Sequence, residues 1–127
     1  KDPEFGSKGK AQNSYVAPAA KLGAHTAPLG MRFYEGKMFP QSYKDQIFVA
    51  KHGSWNRSKK SGYVVALEKI TTDSKVIGEE IFISGWLNES TQEAWGRPVD
   101  VQELPDGSLL ISDDMANVIY RVSYSGK

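Results

Sequence analysis

The chain has no cysteine, so neither a disulfide framework nor a thiolate metal site can hold it together. Its only histidines, His25 and His52, do not have the spacing of a metal-binding pair. No apolar run approaches the roughly 20 residues of a membrane helix, so no membrane anchoring is expected. Neither sign of charge dominates: 16 Lys and Arg stand against 15 Asp and Glu, a net of +1. The basic excess needed to track a phosphate backbone is missing, which speaks against a nucleic-acid partner. No signal peptide opens the chain, so a secretory address would have been removed or would lie outside this segment. No stretch of a helix's length repeats its apolar residues at helical spacing. No glycine-rich phosphate loop follows a strand, and no nucleophile–base–acid series can be assembled. The expectation is therefore no catalytic residue and no metal ligand within these 127 residues.

What the sequence does have is strand and turn material. Hydrophobic residues make up 39% and aromatics 11%, too many for a disordered chain, and 12 Gly and 6 Pro punctuate runs of Val, Ile, Tyr and Phe. Residues 1–27 read as a long loop, unusual in an isolated domain, that normally lies against other structure. Strands are then expected over 29–35, 46–50, 62–67, 75–84, 98–104, 108–112 and 117–124. The run 46–50 is continuously apolar and suits a strand buried on both faces; 98–104 alternates; Pro105-Asp106-Gly107 is a strong turn signal. The seven strands fall into four and three, separated by residues 85–96. A faint echo links the second strand of each group. This grouping predicts an all-β fold: a four-stranded propeller blade over 28–84, an inter-blade loop over 85–96 and a three-stranded last blade over 97–127. An immunoglobulin-like sandwich also fits seven strands, but leaves the long head segment without a place.

Antiparallel strands place successive connections at alternate ends. Residues 23–28, 52–61, 85–96 and 113–116 therefore share one end, and 36–45, 71–74 and 105–107 share the other. The first end receives His25, His52, Trp55, Asn56, Arg57, Trp86, Trp95, Arg97, Asp113 and Asp114. Gathering Arg and aromatic groups on one loop face is how a rigid scaffold presents a binding surface. Arg97, between Gly96 and Pro98, offers a planar fork for a carboxylate, or else a salt bridge to Asp113 or Asp114. His25 fits either a rim contact or an ordinary loop histidine. Asp113 and Asp114 are too few for a calcium cage, and Lys59-Lys60 reads as a solvated loop tip. Two glycosylation-type triplets, at Asn56 and Asn88, are too short a pattern to carry weight.

Certain residues carry a family resemblance over about 22–124. These are His25-Thr26-Ala27-Pro28-Leu29-Gly30, Phe33-Tyr34 with Gly36, Phe39-Pro40, Ile47-Phe48-Val49-Ala50, His52-Gly53-Ser54-Trp55-Asn56-Arg57 with Gly62-Tyr63, Gly96-Arg97-Pro98-Val99-Asp100, and residues 106–114. Together they resemble the C-terminal part of the sorbosone dehydrogenase-like family, soluble quinoprotein sugar dehydrogenases that use pyrroloquinoline quinone (PQQ). The loop 52–57 is the specific element; Asp106-Gly107-Ser108-Leu109 recurs in many propellers. The family also carries a stretch like Asp2-Pro3-Glu4-Phe5-Gly6, which makes that stretch native and not a cloning scar.

The resemblance implies a fragment of a six-bladed β-propeller and a periplasmic or secreted location. It implies oxidation of a sugar or aldehyde hydrate by hydride transfer to PQQ, with calcium polarising the quinone. Arg97, His52, Arg57, Asn56 and His25 become expected cofactor contacts, and Trp55 and Trp95 expected substrate contacts. A full family member is some three times longer, and the general base and most calcium ligands belong to blades this chain does not contain. The isolated chain is therefore expected to be inactive, and to self-associate through faces a propeller would bury. Two other readings are a non-catalytic propeller-type module that binds carbohydrate or protein through the same face, and a purely structural domain.

Overall fold

The computed structural model describes residues 3–4 and 15–126. Most of the charged stretch 1–10, including the Asp2 to Gly6 motif apart from Pro3 and Glu4, lies outside the described residues. Residues 15–27 run without regular secondary structure.

The described chain is all-β apart from one 3-10 turn at Gln41–Tyr43. Four antiparallel strands, β1 (Pro28–Phe33), β2 (Ile47–Lys51), β3 (Val64–Ile70) and β4 (Val76–Ile83), pair in sequence order. A second antiparallel sheet holds β7 (Pro98–Glu103), β8 (Leu109–Asp113) and β9 (Val118–Val122). The stretch 85–96, expected as a loop, contains a small hairpin of β5 (Leu87–Asn88) and β6 (Glu93–Ala94). Two-residue strands leave no alternation to read, so only coordinates reveal them.

Side-chain alternation decides which faces meet. In β2 and β3, Phe48 pairs with Leu67 and Ala50 with Val65, and all four are buried. In the last sheet Val101 pairs with Ile111, and Leu109 lies on the same face as Ile111. These two faces close on one core with Tyr34, Phe39, Tyr63 and Trp86. Phe82 joins it, its ring 4.6 Å from Phe48. Burial of 46–50 on both faces holds for Phe48, Val49 and Ala50. The two sheets touch along their first strands. A Cβ on Gly30 of β1 would stand 2.6 Å from the Cα of Asp100 in β7, so the close approach admits only glycine there.

The two ends of this seam are fastened differently. At one end Tyr34 donates its hydroxyl hydrogen to the carbonyl of Gly107 (2.9 Å) and accepts from the backbone N–H of Met38 (3.1 Å) and Phe39 (3.0 Å). One buried phenol thus joins the 36–40 loop to the 105–107 turn. The other end carries the residues singled out by connection parity.

Candidate functional site

Loop 52–61 leaves β2 and is pinned first by its own backbone. The N–H of His52 donates to the carbonyl of Ala27 (3.0 Å), and that of Gly53 to the carbonyl of Thr26 (2.9 Å). Gly53 has φ 98° and lies against the Tyr63 ring, a conformation and a closeness that exclude a side chain. These bonds set loop 52–61 beside residues 24–27, as parity requires.

Arg97 crosses from the last blade to this loop. Its Nε donates to the carbonyl of His52 (3.1 Å) and its Nη2 to the carbonyl of Gly53. The guanidinium carbon stands 5.4 Å from the centroid of Tyr63, whose hydroxyl donates to the carbonyl of Ser54. Cation–π stacking and two charge-assisted hydrogen bonds fix the fork in one plane. The salt bridge from Arg97 to Asp113 or Asp114 does not form. Asp113 is buried and bonds instead to backbone: its Oδ1 accepts from the N–H of Arg97 (2.9 Å) and of Ala116 (2.8 Å). Its Oδ2 accepts from the Tyr120 hydroxyl (3.1 Å), which in turn accepts from the Trp86 indole N–H (3.3 Å). Asp114 is partnered by His52, whose Nε2 lies 2.9 Å from Asp114 Oδ1. That hydrogen bond holds the largely exposed Asp114 carboxyl below the usual carboxylate range.

A second cluster lies beside the first. His25, Trp55 and Asn56 line a recess of about 360 Å³ with Ala27, Gly53 and Ser54. Trp55 is 85% exposed at the loop tip. His25 takes φ 61°, a left-handed conformation uncommon outside glycine. Arg57 does not join Arg97; its Nη1 donates to Ser61 Oγ (3.1 Å) and to the carbonyl of Ala24 (3.5 Å), clipping the 24–25 turn to loop 52–61. Trp95 is half exposed, its indole N–H donating to the carbonyl of Gly85 (2.7 Å) and its ring 6.4 Å from Trp86. Trp86 is buried and belongs to the core. Lys60, expected as part of a solvated tip, is tied down: its N–H donates to Gln92 Oε1 (2.6 Å) and its ammonium to the Gln92 carbonyl. The hairpin 85–96 supplies the acceptors that no local pattern announces.

Sequence reasoning missed three positions: Tyr63 as the plate beneath Arg97, Asp113 as the cap that aims it, and Asp114 as the partner of His52. All three lay in stretches already singled out, but pairing across 62 residues, as in His52 and Asp114, leaves no local signal. It also missed a buried charge cluster on the far face of the first blade. Lys51 and Glu68 are both nearly inaccessible, with Lys51 Nζ 4.0 Å from Glu68 Oε1, bonded to Glu79, and donating to the carbonyl of Leu22 (3.1 Å). Among the described residues no three His, Asp or Glu side chains come together in a metal-ligating group.

Two antiparallel sheets abutting along their first strands, with loop residues from both gathered on one rim, define two blades of a β-propeller. The chain belongs to the TrAA12-like family, whose model matches residues 6–125. It is 39% identical over 121 residues to an uncharacterized protein of Borreliella burgdorferi, a match covering 94% of this chain and 32% of that one. It is 42% identical over 52 residues to the pyrroloquinoline quinone-dependent pyranose dehydrogenase of Coprinopsis cinerea, covering 41% of this chain and 6% of that one. Among solved structures, the Trichoderma reesei carbohydrate-active enzyme of family AA12 superposes with TM-score 0.65 at 19% identity, covering 80% of this chain and 26% of that one. The PQQ domain of the Coprinopsis cinerea pyranose dehydrogenase superposes with TM-score 0.54 at 24% identity, covering 78% and 27%. The structural likenesses are likenesses of fold. The chain spans about a third of the length of the Borreliella relative it matches.

Proposed function

We propose that this chain supplies cofactor-facing blades of a quinoprotein dehydrogenase that oxidises a sugar or aldehyde hydrate with PQQ. The observation that carries the reading is the convergence, across one blade seam, of Arg97, His52 and the His25–Trp55–Asn56 recess. PQQ is flat and bears three carboxylates, so it needs cationic donors and an aromatic or planar wall. The rim offers both. Arg97 spends its Nε hydrogen and one Nη2 hydrogen on carbonyls and keeps the remaining Nη1 and Nη2 hydrogens for a carboxylate. Trp55 and Trp95 present indole faces for the sugar ring. Arg57 would act by holding the 24–25 turn, and with it His25, in place.

When bound, PQQ supplies the two-electron acceptor. The residues of this chain bind and orient; none is assigned the proton transfer, because no described side chain faces the recess as a base held by a second group. His52 faces Asp114 instead. The resemblance of loop 52–57 to sorbosone dehydrogenase-like proteins supports the same cofactor class and a periplasmic or secreted setting, and coverage of only about a third of the Borreliella relative supports inactivity of these 127 residues alone. A second reading, a carbohydrate-binding module without redox chemistry, is favoured by the 85% exposure of Trp55, since an indole face at a loop tip stacks on a sugar without any cofactor.

Titration of the chain with PQQ, followed by tryptophan fluorescence, separates the two. The redox reading expects saturable quenching, weakened at least about tenfold by Arg97→Ala, the loss of one charge-assisted bond. Arg121→Ala, whose side chain bonds Asp106 and Ser108 away from the rim, leaves it unchanged. Quenching by sugar and none by PQQ supports the second reading and ends the first.

A further inference from the structure

We propose that Lys51 is a positioning residue for the rim: its buried ammonium anchors the carbonyl of Leu22 and so sets where the turn carrying His25 stands. The inference deepens the reading of the His25–Trp55–Asn56 recess as a ligand site and rests on that reading for its effect on binding. The anchoring itself depends on no ligand.

Lys51 is the last residue of β2. Phe48 and Ala50 face the core, so alternation turns Val49 and Lys51 to the opposite side of the sheet. There Lys51 is only 3% exposed, a burial that lysine tolerates only when its charge is paired. The ammonium has three hydrogens to place. One goes to Glu79 of β4. A second goes to the carbonyl of Leu22 (3.1 Å), a partner from outside the sheet. Among the described residues the third finds no acceptor within hydrogen-bond reach. Glu68 Oε1 of β3, itself buried without a hydrogen-bond partner, stands 4.0 Å away.

The Leu22 carbonyl is also where the turn closes. The Thr26 hydroxyl donates to it (3.0 Å) and, less closely, to the Gly23 carbonyl (3.3 Å). At the exit of the turn the N–H groups of His52 and Gly53 hold the carbonyls of Ala27 and Thr26. Residues 51 to 53 therefore grip the turn at entrance and exit, the first by its side chain and the other two by backbone. Within this grip His25 has φ 61° and Ala27 φ 46°. Non-glycine residues stay in that left-handed region only where their surroundings over-determine it. The bonds from Arg57 and Ser61 to the Ala24 carbonyl are longer, 3.5 and 3.3 Å, and exposed. The Lys51 bond is shorter, shielded and charge-assisted, which makes it the stronger hold.

The anchor also responds to a proton. The charged groups around the ammonium are Glu68 and Glu79 from the sheet, Lys21 from the head segment beside both carboxylates, and Glu89 from the 85–96 hairpin. Glu68 and Glu79 face each other across β3 and β4. With one proton held between them, one negative charge answers one ammonium. Without it, a second buried negative charge faces the free hydrogen of Lys51 and draws the ammonium toward Glu68, away from Leu22. Burial and then Glu79 push the Glu68 carboxyl up to about 7, so this pull sets in as pH rises through neutrality.

NMR of the protein tests the anchor. The amide nitrogen of Gly23 belongs to the same peptide unit as the Leu22 carbonyl, so its shift reports the Lys51 bond. That shift is expected to change in Lys51→Met, and in the wild type to step with pH around a midpoint of about 7. The step is lost in Lys51→Met and in Glu68→Gln, the second of which keeps the ammonium and both its bonds. Circular dichroism checks folding. Lys51→Met combined with Glu79→Gln, which removes the charge the single change would strand, replaces Lys51→Met if that variant does not fold. PQQ affinity, read by tryptophan fluorescence, falls about fivefold in Lys51→Met, the lower end of coupling between sites. A Gly23 shift untouched by Lys51→Met overturns the proposal, and a pH step that survives Glu68→Gln belongs to another group and overturns its proton control. Equal PQQ affinity in wild type and Lys51→Met overturns the positioning role and leaves the cofactor reading intact. A wild type that binds no PQQ while Gly23 responds as expected supports the anchor and ends the cofactor reading.

Discussion

Buried ionisable residues show most clearly how position sets chemistry here. Glu68 and Glu79 are directly opposite across β3 and β4, where two like charges repel. Burial, then the neighbouring Glu79, push the Glu68 carboxyl up to about 7 against the partial counterweight of Lys51. Burial also pushes Glu79 upward, but its bonds to Glu68 and Lys51 outweigh this and leave it below its ordinary value. The signs follow by linkage. Between the unfolded Glu value of 4.5 and about 7 the folded state holds a proton on Glu68 that the unfolded chain has released, so stability falls as pH rises through that window. Glu79, whose folded value is lowered, contributes stability above 4.5 that is lost as pH falls through its folded value. Stability is therefore expected to peak near the bottom of the Glu68 window. In Glu68→Gln the decline from mildly acidic to neutral pH flattens, as read from urea midpoints across that range. A decline unchanged by the substitution would remove Glu68 as its cause. Asp113 makes a sharper case. Asp113→Ala strands two backbone N–H groups beside a buried position, a cost of roughly 2–4 kcal/mol, measurable by urea denaturation.

Secondary-structure elements were largely legible, and the reasons are local. Residues 98–104 alternate, 46–50 are continuously apolar, and Pro105-Asp106-Gly107 closes a hairpin, so strand positions could be read to within a few residues. Connection parity then placed His52, Arg97 and Trp55 at one end. What no spacing could show is how the elements grip each other. Lys51 ends an apolar run yet is buried, because its ammonium finds Glu79 and the Leu22 carbonyl from distant segments. Arg97 was legible as a fork but not as a clamp, since its acceptors are backbone carbonyls of another blade. Tyr34 reads as one aromatic among many, and only the fold gives its hydroxyl three backbone partners. Tyr34→Phe keeps the ring and removes all three bonds. The expected loss is about 1–3 kcal/mol, mostly from the two amides left without an acceptor. A change under about half a kcal/mol in thermal or urea unfolding, the scatter of ordinary surface substitutions, would mean water replaces the phenol.

For the molecule as a whole, the seam between blades matters more than either blade. Tyr34 fastens it at one pole. Arg97 and the His52–Asp114 pair fasten it at the other. A joint riveted at both extremities has little freedom to swing, so whatever settles on the rim meets a frame that is already set. Its accommodation must come from the turning of single side chains, Trp55 foremost, and from no rocking of one sheet against the other. A spin label pair straddling the seam would accordingly report one separation, with or without an occupant, while the indole at the loop tip changes its environment.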